Sequence, residues 1–369
     1  MLKLIRLAPL TLLASLIATP NYTRAQSEPK PFRVVIAGLM HGHVAGFLSA
    51  AAKRPDIQIV GIAEPDQQLA KRYADEFKLE SNLLYADLDR MLEVLKPHAV
   101  LAYTNTRDHR HVVEIAARHH IPVMMEKPLA VSVEDALAIQ HAATAANITV
   151  LVNYETSWYP SNMAVSRLLR DGALGEIRKV VIHDGHNGPK EIGVQPEFLD
   201  WLTDPNRNGA GALFDFGCYG ADLMTWLMHG ETPATVSAVL QQIKPQIYSH
   251  VDDEATVVLT YPKAQAILQA SWNWPFGRKD MEVYGEFGQA ITVGRDTLRV
   301  RRKDDKEEHP EIAQPLSSPY DDSISYLMAV VSGKIKPDGL SALDTNITVV
   351  RILSAARESA RTGKTVTLR

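Results

Sequence analysis

Through residue 152 the chain alternates short, almost wholly apolar runs with longer stretches whose apolar residues recur every three or four positions. The runs at 32–38, 57–63, 99–102, 121–125 and 148–152 read as strands buried on both faces. The stretches at 43–53, 66–77, 87–95, 109–119 and 133–146 have the helical period. Strand and helix in turn, with short links, predict parallel βαβ units. Beyond residue 153 the pattern changes. One more helix, 161–170, leads into segments at 175–183, 235–242, 254–261, 266–274 and 279–284, rich in β-branched and aromatic residues between turn signals. These predict a large, mostly antiparallel open sheet, followed by helices at 321–332 and 343–361. The expected fold class is α/β, with a doubly wound domain over 32–152 and a second α/β domain over 153–369.

Length and composition agree with two globular domains: 369 residues, 46% hydrophobic and 22% charged. A net charge of −4 offers no basic face, so nucleic acid is not an expected partner. Cys218 is the single cysteine and leaves no internal disulfide. Residues 1–25 have the form of a secretory signal: Lys3 and Arg6, an apolar stretch from Leu7 to Ala18, and small residues at Thr23 and Ala25 before Gln26. The stretch is too short to span a membrane. Residues 26–31, with Pro29 and Pro31, read as a linker. The mature protein is therefore expected in the periplasm or secreted, with no membrane partner once the signal is cleaved.

Two segments carry candidate chemistry. Glu126-Lys127-Pro128 puts a lysine at the carboxyl end of a buried strand, where doubly wound folds bind ligands. Gly209-x-Gly211-x-x-x-Asp215-x-Gly217-x-Tyr219-x-x-Asp222 puts a carboxylate and a phenol at i and i+4, on one face of a helix. Lysine with Asp and Tyr is what proton transfer to or from an alcohol needs beside a hydride acceptor. Gly38 after the first strand and Glu64 after the second have the places of a dinucleotide turn and a ribose-binding carboxylate, although Met40 and His43 stand where two further glycines belong. A plain structural turn explains Gly38 as readily. Thr104 and His109 follow another strand end, and His109 reads equally as a first-turn polar residue. His41, His43 and His111 show no spacing with a carboxylate that marks a metal site, and no metal is expected.

With these residues the chain resembles the Gfo/Idh/MocA oxidoreductase family over nearly all of 32–369. Glu126-Lys127-Pro128 matches its central motif, Gly175-Glu176-Ile177-Arg178-Lys179-Val180 the start of its second domain, and 209–222 its catalytic helix. Tyrosine at 219, where most members have histidine, is closest to the glucose–fructose oxidoreductase branch. The resemblance implies an NAD(P)-binding Rossmann domain and a C-terminal sheet that carries substrate and homo-oligomer contacts. It implies hydride transfer between nicotinamide and a hydroxyl-bearing carbon of a sugar, polyol or glycoside. Tyr219 would move the hydroxyl proton, Lys127 would lower its pKa, and Asp215 would position substrate. Gly38, Met40, His41, Glu64, Thr104, His109, Glu126 and Lys127 would line the cofactor, and Glu64 would favour NAD over NADP. His186, Trp158, Tyr159 and Asp222 are the substrate candidates. Two alternatives stay open: a redox-assisted glycoside-cleaving enzyme with tightly bound NAD, and a non-catalytic sugar-binding relative.

Overall fold

The computed structural model describes residues 30–368, so the expected signal at 1–25 and most of the linker lie outside the described residues. The first sheet is built from β1 (Phe32–Ala37), β2 (Ile57–Ala63), β3 (Leu84–Tyr85), β4 (Ala99–Ala102), β5 (Val123–Glu126) and β6 (Val150–Asn153). Its strands run parallel in the order β3-β2-β1-β4-β5-β6. The helices that return the chain are α1 (His43–Ala51), α2 (Gln67–Phe77), α3 (Leu88–Leu95), α4 (His109–Arg118) and α5 (Val133–Ala146). Three of them start on a side-chain cap: Asp66 for α2, Asp87 for α3 and Ser132 for α5. Strand order reverses between β1 and β4, the point beyond whose carboxyl ends doubly wound sheets bind ligands.

After α6 (Pro160–Arg170) comes β7 (Ile177–Gly185), the central strand of the second sheet. Then follow α7 (Pro196–Leu202), α8 (Pro205–Asn208), α9 (Ala212–Asp215) and α10 (Gly217–Leu227). The remaining strands are β8 (Thr235–Gln241), β9 (Glu254–Thr260), β10 (Gln265–Ser271), β11 (Arg278–Gly285), β12 (Gln289–Thr292), β13 (Thr297–Arg301), β14 (His309–Ile312) and β15 (Val366–Thr367). The nine strands lie in the order β14-β13-β12-β11-β7-β10-β9-β8-β15. Only β7 and β10 pair in parallel. The sheet is thus mostly antiparallel, as expected. Helices α9 and α10 pack on β10, and α12 (Leu343–Thr362) packs on β8 and α10. No helix among the described residues is long and apolar enough to cross a membrane.

The chain does not stay in its second half. Helix α11 (Ser323–Val331) puts Ile324, Tyr326, Leu327 and Val330 into the apolar layer formed by Val34, Ile36 and Leu39. Asp322 caps α11 through the amides of Ile324 and Ser325, and it accepts from Arg54 at 2.7 Å. The C-terminal helices thereby fasten the two sheets together, which the sequence pattern had assigned wholly to the second domain.

Candidate active site

Lys127 follows β5 at the carboxyl edge of the first sheet, and its ammonium is buried. It donates to Asp215 Oδ1 at 2.5 Å and to the Asp215 main-chain oxygen at 2.8 Å. Trp272 Nε1 donates to the second carboxylate oxygen at 2.9 Å. Burial disfavours both charges, but their mutual attraction outweighs it, so the lysine pKa rises and the aspartate pKa falls. Both groups stay ionised at neutral pH. Asp215 thus holds the Lys127 ammonium in place, and it also lines the cavity described below.

Asp215 and Tyr219 do not share a continuous helix. The chain breaks at Phe216, so Asp215 ends α9 and Tyr219 lies in the first turn of α10. Both still reach the same cavity. The glycines of the motif have local causes. Gly209 has φ +93°, and a Cβ on Gly211 would stand 1.8 Å from the Asp252 carbonyl oxygen. The Asp252 carboxylate accepts from the amides of Gly211 and Leu213, both at 2.8 Å, and so holds the start of α9.

Tyr219 is almost wholly buried, and its hydroxyl has no hydrogen-bond partner among the described residues. Burial first, and the neighbouring Cys218 and Glu155 next, push its pKa well above the ordinary value. The lowering expected from Lys127 is outweighed by burial. The Lys127 charge is spent on Asp215, and its Nζ lies 5.2 Å from the Tyr219 ring centroid, over the ring. A second ammonium, Lys279 on β11, lies 4.9 Å from the same centroid and pairs with Glu155. At neutral pH Tyr219 is thus a protonated phenol, a donor between two cations.

These groups open onto a cavity of about 1060 Å³ lined also by His186, Tyr159, Arg278 and Arg295. The volume accommodates a small sugar or polyol beside a nicotinamide. His186 Nδ1 accepts from the Gly188 amide at 2.9 Å, and its ring meets Phe216 edge-on at 4.9 Å. The Tyr159 hydroxyl donates to Glu155 at 2.6 Å. Trp158 does not line this cavity but borders a smaller one beside Gly42, His43, Glu126 and Asn153. It also lines a further cavity of about 810 Å³ and stands 5.6 Å from Tyr326. Its Nε1 donates to Asn153 Oδ1 at 3.0 Å, and Asn153 in turn donates to Glu126 at 3.0 Å. Asp222 is sealed in the core with neither carboxyl oxygen partnered, and burial raises its pKa well above the usual carboxylate range. It does not line the cavity.

The turn after β1 has features that fit a dinucleotide. Gly38 takes φ +81°, and a Cβ there would stand 2.7 Å from Thr104 Cγ2. Among the described residues no acceptor meets the amides of Met40 and Gly42, which precede α1. Free amides at a helix N-terminus suit a pyrophosphate. Glu64 follows β2, is buried, and already accepts from the amides of Leu39 at 2.7 Å and Asp66 at 2.9 Å, so part of its work is to hold the loop. Helices α7 and α8 bear on the same loop. Trp201 Nε1 donates to the Met40 carbonyl at 3.1 Å, Glu197 pairs with Arg72 of α2, and α8 packs on the turn at 106–108. His41 is buried against Phe198 and Trp201. His109 is buried with Nδ1 3.1 Å from the Pro128 carbonyl; burial draws its pKa down to about 4, against the carbonyl contacts. It braces the Lys127 turn.

Four residues of this arrangement escape motif reading: Lys279, Trp272, Asp252 and Asn153. Strand parity was a usable signal for Lys279. It is in phase with buried Met281 and Val283 and stands opposite Asp184 on β7.

The two sheets and the turn after β1 define a two-domain protein with a Rossmann unit of the dinucleotide-binding kind. Residues 32–154 match the oxidoreductase family with an NAD-binding Rossmann fold, and residues 162–291 match the GFO/IDH/MocA C-terminal domain. The chain belongs to the Gfo/Idh/MocA oxidoreductase family. It is 26% identical over 231 residues to trans-1,2-dihydrobenzene-1,2-diol dehydrogenase of Oryctolagus cuniculus. That match takes in 62% of this chain and 65% of the relative, just under two thirds of its length. It is 24% identical over 324 residues to D-apiose dehydrogenase of Rhizobium rhizogenes, across 84% of this chain and 89% of the relative. The fold is shared with aldose-aldose oxidoreductase from Caulobacter crescentus, at TM-score 0.77 and 22% identity over 92% of this chain and 100% of that one. An inositol dehydrogenase homolog from Azotobacter vinelandii, complexed with NAD+, superposes at TM-score 0.78 and 18% identity over 92% and 98%.

Proposed function

We propose that the protein is an NAD-dependent oxidoreductase passing hydride between nicotinamide and a hydroxyl-bearing carbon of a sugar, polyol or glycoside. The observation that carries this reading is the buried, ionised Lys127–Asp215 pair beside the free hydroxyl of Tyr219 in a cavity of sugar size. Bound NAD supplies the hydride acceptor. Lys127, fixed by Asp215 and Trp272, presents a permanent positive charge to the substrate oxygen. Tyr219 donates its phenol proton to that oxygen when a carbonyl is reduced, which leaves a tyrosinate between the Lys127 and Lys279 ammonium groups, and in the reverse direction that tyrosinate takes the proton from the alcohol as hydride leaves its carbon. The dehydrogenases and the aldose oxidoreductase among its relatives support the same reaction class.

NAD is expected to be the nucleotide, because the Glu64 carboxylate at the end of β2 would meet the 2′-phosphate of NADP as a like charge. Mass spectrometry of nucleotide released from purified, denatured protein, with both dissociation constants measured on the apoprotein, checks this. NADP recovered, or binding at least as tightly, would refute it. The hold of α7 and α8 on the Met40 loop favours slow release, and hence a cofactor that can serve a redox-neutral glycoside-cleaving cycle. Nucleotide lost on desalting would argue against retention.

Export remains part of the proposal, supported by the basic start and apolar run of residues 1–25. N-terminal sequencing from the native host is expected to begin near Gln26. An intact Met1 on the active protein would count against it.

A further inference from the structure

Beside the Lys127–Asp215 pair lies a second cluster that hydride transfer leaves unused. His41 ends the β1–α1 loop and His43 opens α1, on either side of Gly42, and Glu126 ends β5. One ligating atom from each of the three lies within 4.8 Å of the other two. His43 Nδ1 stands 3.0 Å from Glu126 Oε2, and the two imidazole centroids are 4.6 Å apart. His41 and Glu126 are buried, while the His43 side chain is 48% exposed and lines the large cavity.

Two observations mark this as more than a histidine–carboxylate contact. His41 Nε2 is buried and meets no polar partner, although an orphaned buried group costs about 1–3 kcal/mol. And the ligand candidates are held from behind. Phe198 and Trp201 clamp the His41 ring at 4.7 and 5.6 Å, and Asn153, itself bonded to Trp158, fixes Glu126 Oε1. Such outer support orients metal ligands.

We propose that His41, His43 and Glu126 bind a divalent transition-metal ion of the zinc class, with its remaining coordination position open to the cavity. Two imidazoles and one carboxylate suit Zn²⁺ or Co²⁺ better than Mg²⁺ or Ca²⁺, which take oxygen ligands. Tetrahedral ligands at about 2.0–2.1 Å from zinc stand roughly 3.4 Å apart, so the cluster closes by about an ångström or slightly more on binding. His43, half-exposed, is the ligand free to make that move. The open position would accept water or an oxygen of a cavity ligand.

The site is tested without nucleotide or substrate, so its failure would leave the hydride-transfer reading untouched. Untagged, full-length, chelator-treated protein is titrated with Co²⁺ while visible absorption is followed, and with Zn²⁺ by calorimetry. One equivalent is expected to bind, with the intense visible bands of a four- or five-coordinate cobalt ion. His43→Ala is expected to weaken binding at least tenfold with the fold unchanged by circular dichroism, and Glu126→Gln to do likewise. His111→Ala, a histidine outside the cluster, is expected to change nothing. Absence of stoichiometric binding, retention of full affinity in His43→Ala, or loss in His111→Ala would each overturn the proposal.

Discussion

Lys127→Met is expected to lower folding stability by about 3–5 kcal/mol and to cut hydride transfer by about 10²–10⁴-fold. The stability loss follows from what the substitution leaves behind. Asp215 is buried, and its charge is balanced by Lys127 at 2.5 Å with help from Trp272. Methionine fills much of the lysine's volume but leaves that carboxylate with one neutral donor. Adding Asp215→Asn removes the stranded charge, so the double variant is expected to recover part of the stability and none of the activity. Urea denaturation measures the first effect and single-turnover nicotinamide absorbance the second. A Lys127→Met protein as stable as wild type would mean that the pair is not held as described.

Tyr219→Phe is expected to behave in the opposite way. Its hydroxyl has no protein partner among the described residues and faces the cavity. Removing it orphans nothing, so stability and NAD affinity are expected to stay within about 0.5 kcal/mol of wild type. The proton donor is gone, however, and single-turnover reduction of a carbonyl substrate is expected to fall about 10²–10⁴-fold. Near wild-type turnover would pass the proton to another group, with His186 the first to examine. A loss explained wholly by weaker NAD binding would also count against the assignment. Taken together, the two variants separate a charge that holds the fold from a hydroxyl that moves a proton.

The first sheet was legible because its strands are buried on both faces, so that apolar runs such as Val34–Ala37 stand out from the amphipathic helices between them. The edge of the second sheet was not. Strands β12, β13 and β14 are short, and β13 alternates buried Leu298 and Val300 with exposed Arg299 and Arg301, so no continuous run announces it. Helices α7 and α8 begin on Pro196 and Pro205, with Asp204 capping the second, a start signal that was present and went unused. Lys127, Asp215 and Tyr219 were legible as a set, since charge and phenol in apolar surroundings need a reason. Their division of labour was not. Which oxygen faces which ammonium depends on the break at Phe216 and on Trp272, 57 residues away from Asp215. The cluster of His41, His43 and Glu126 was invisible for the same reason: it joins two strand ends, 83 residues apart between His43 and Glu126, that only the sheet order brings together.

The most direct measurement follows a labelled hydrogen. Purified protein loaded with NAD is mixed with sugars, polyols and glycosides that carry deuterium at their carbinol carbons. The reaction is quenched within a single turnover, and the nicotinamide is recovered for mass spectrometry. The expected result is deuterium on the nicotinamide from at least one such compound in wild type, and none from Tyr219→Phe in the same time. Bound NAD recovered without deuterium, from every compound and at every quench time, would contradict hydride transfer at this site.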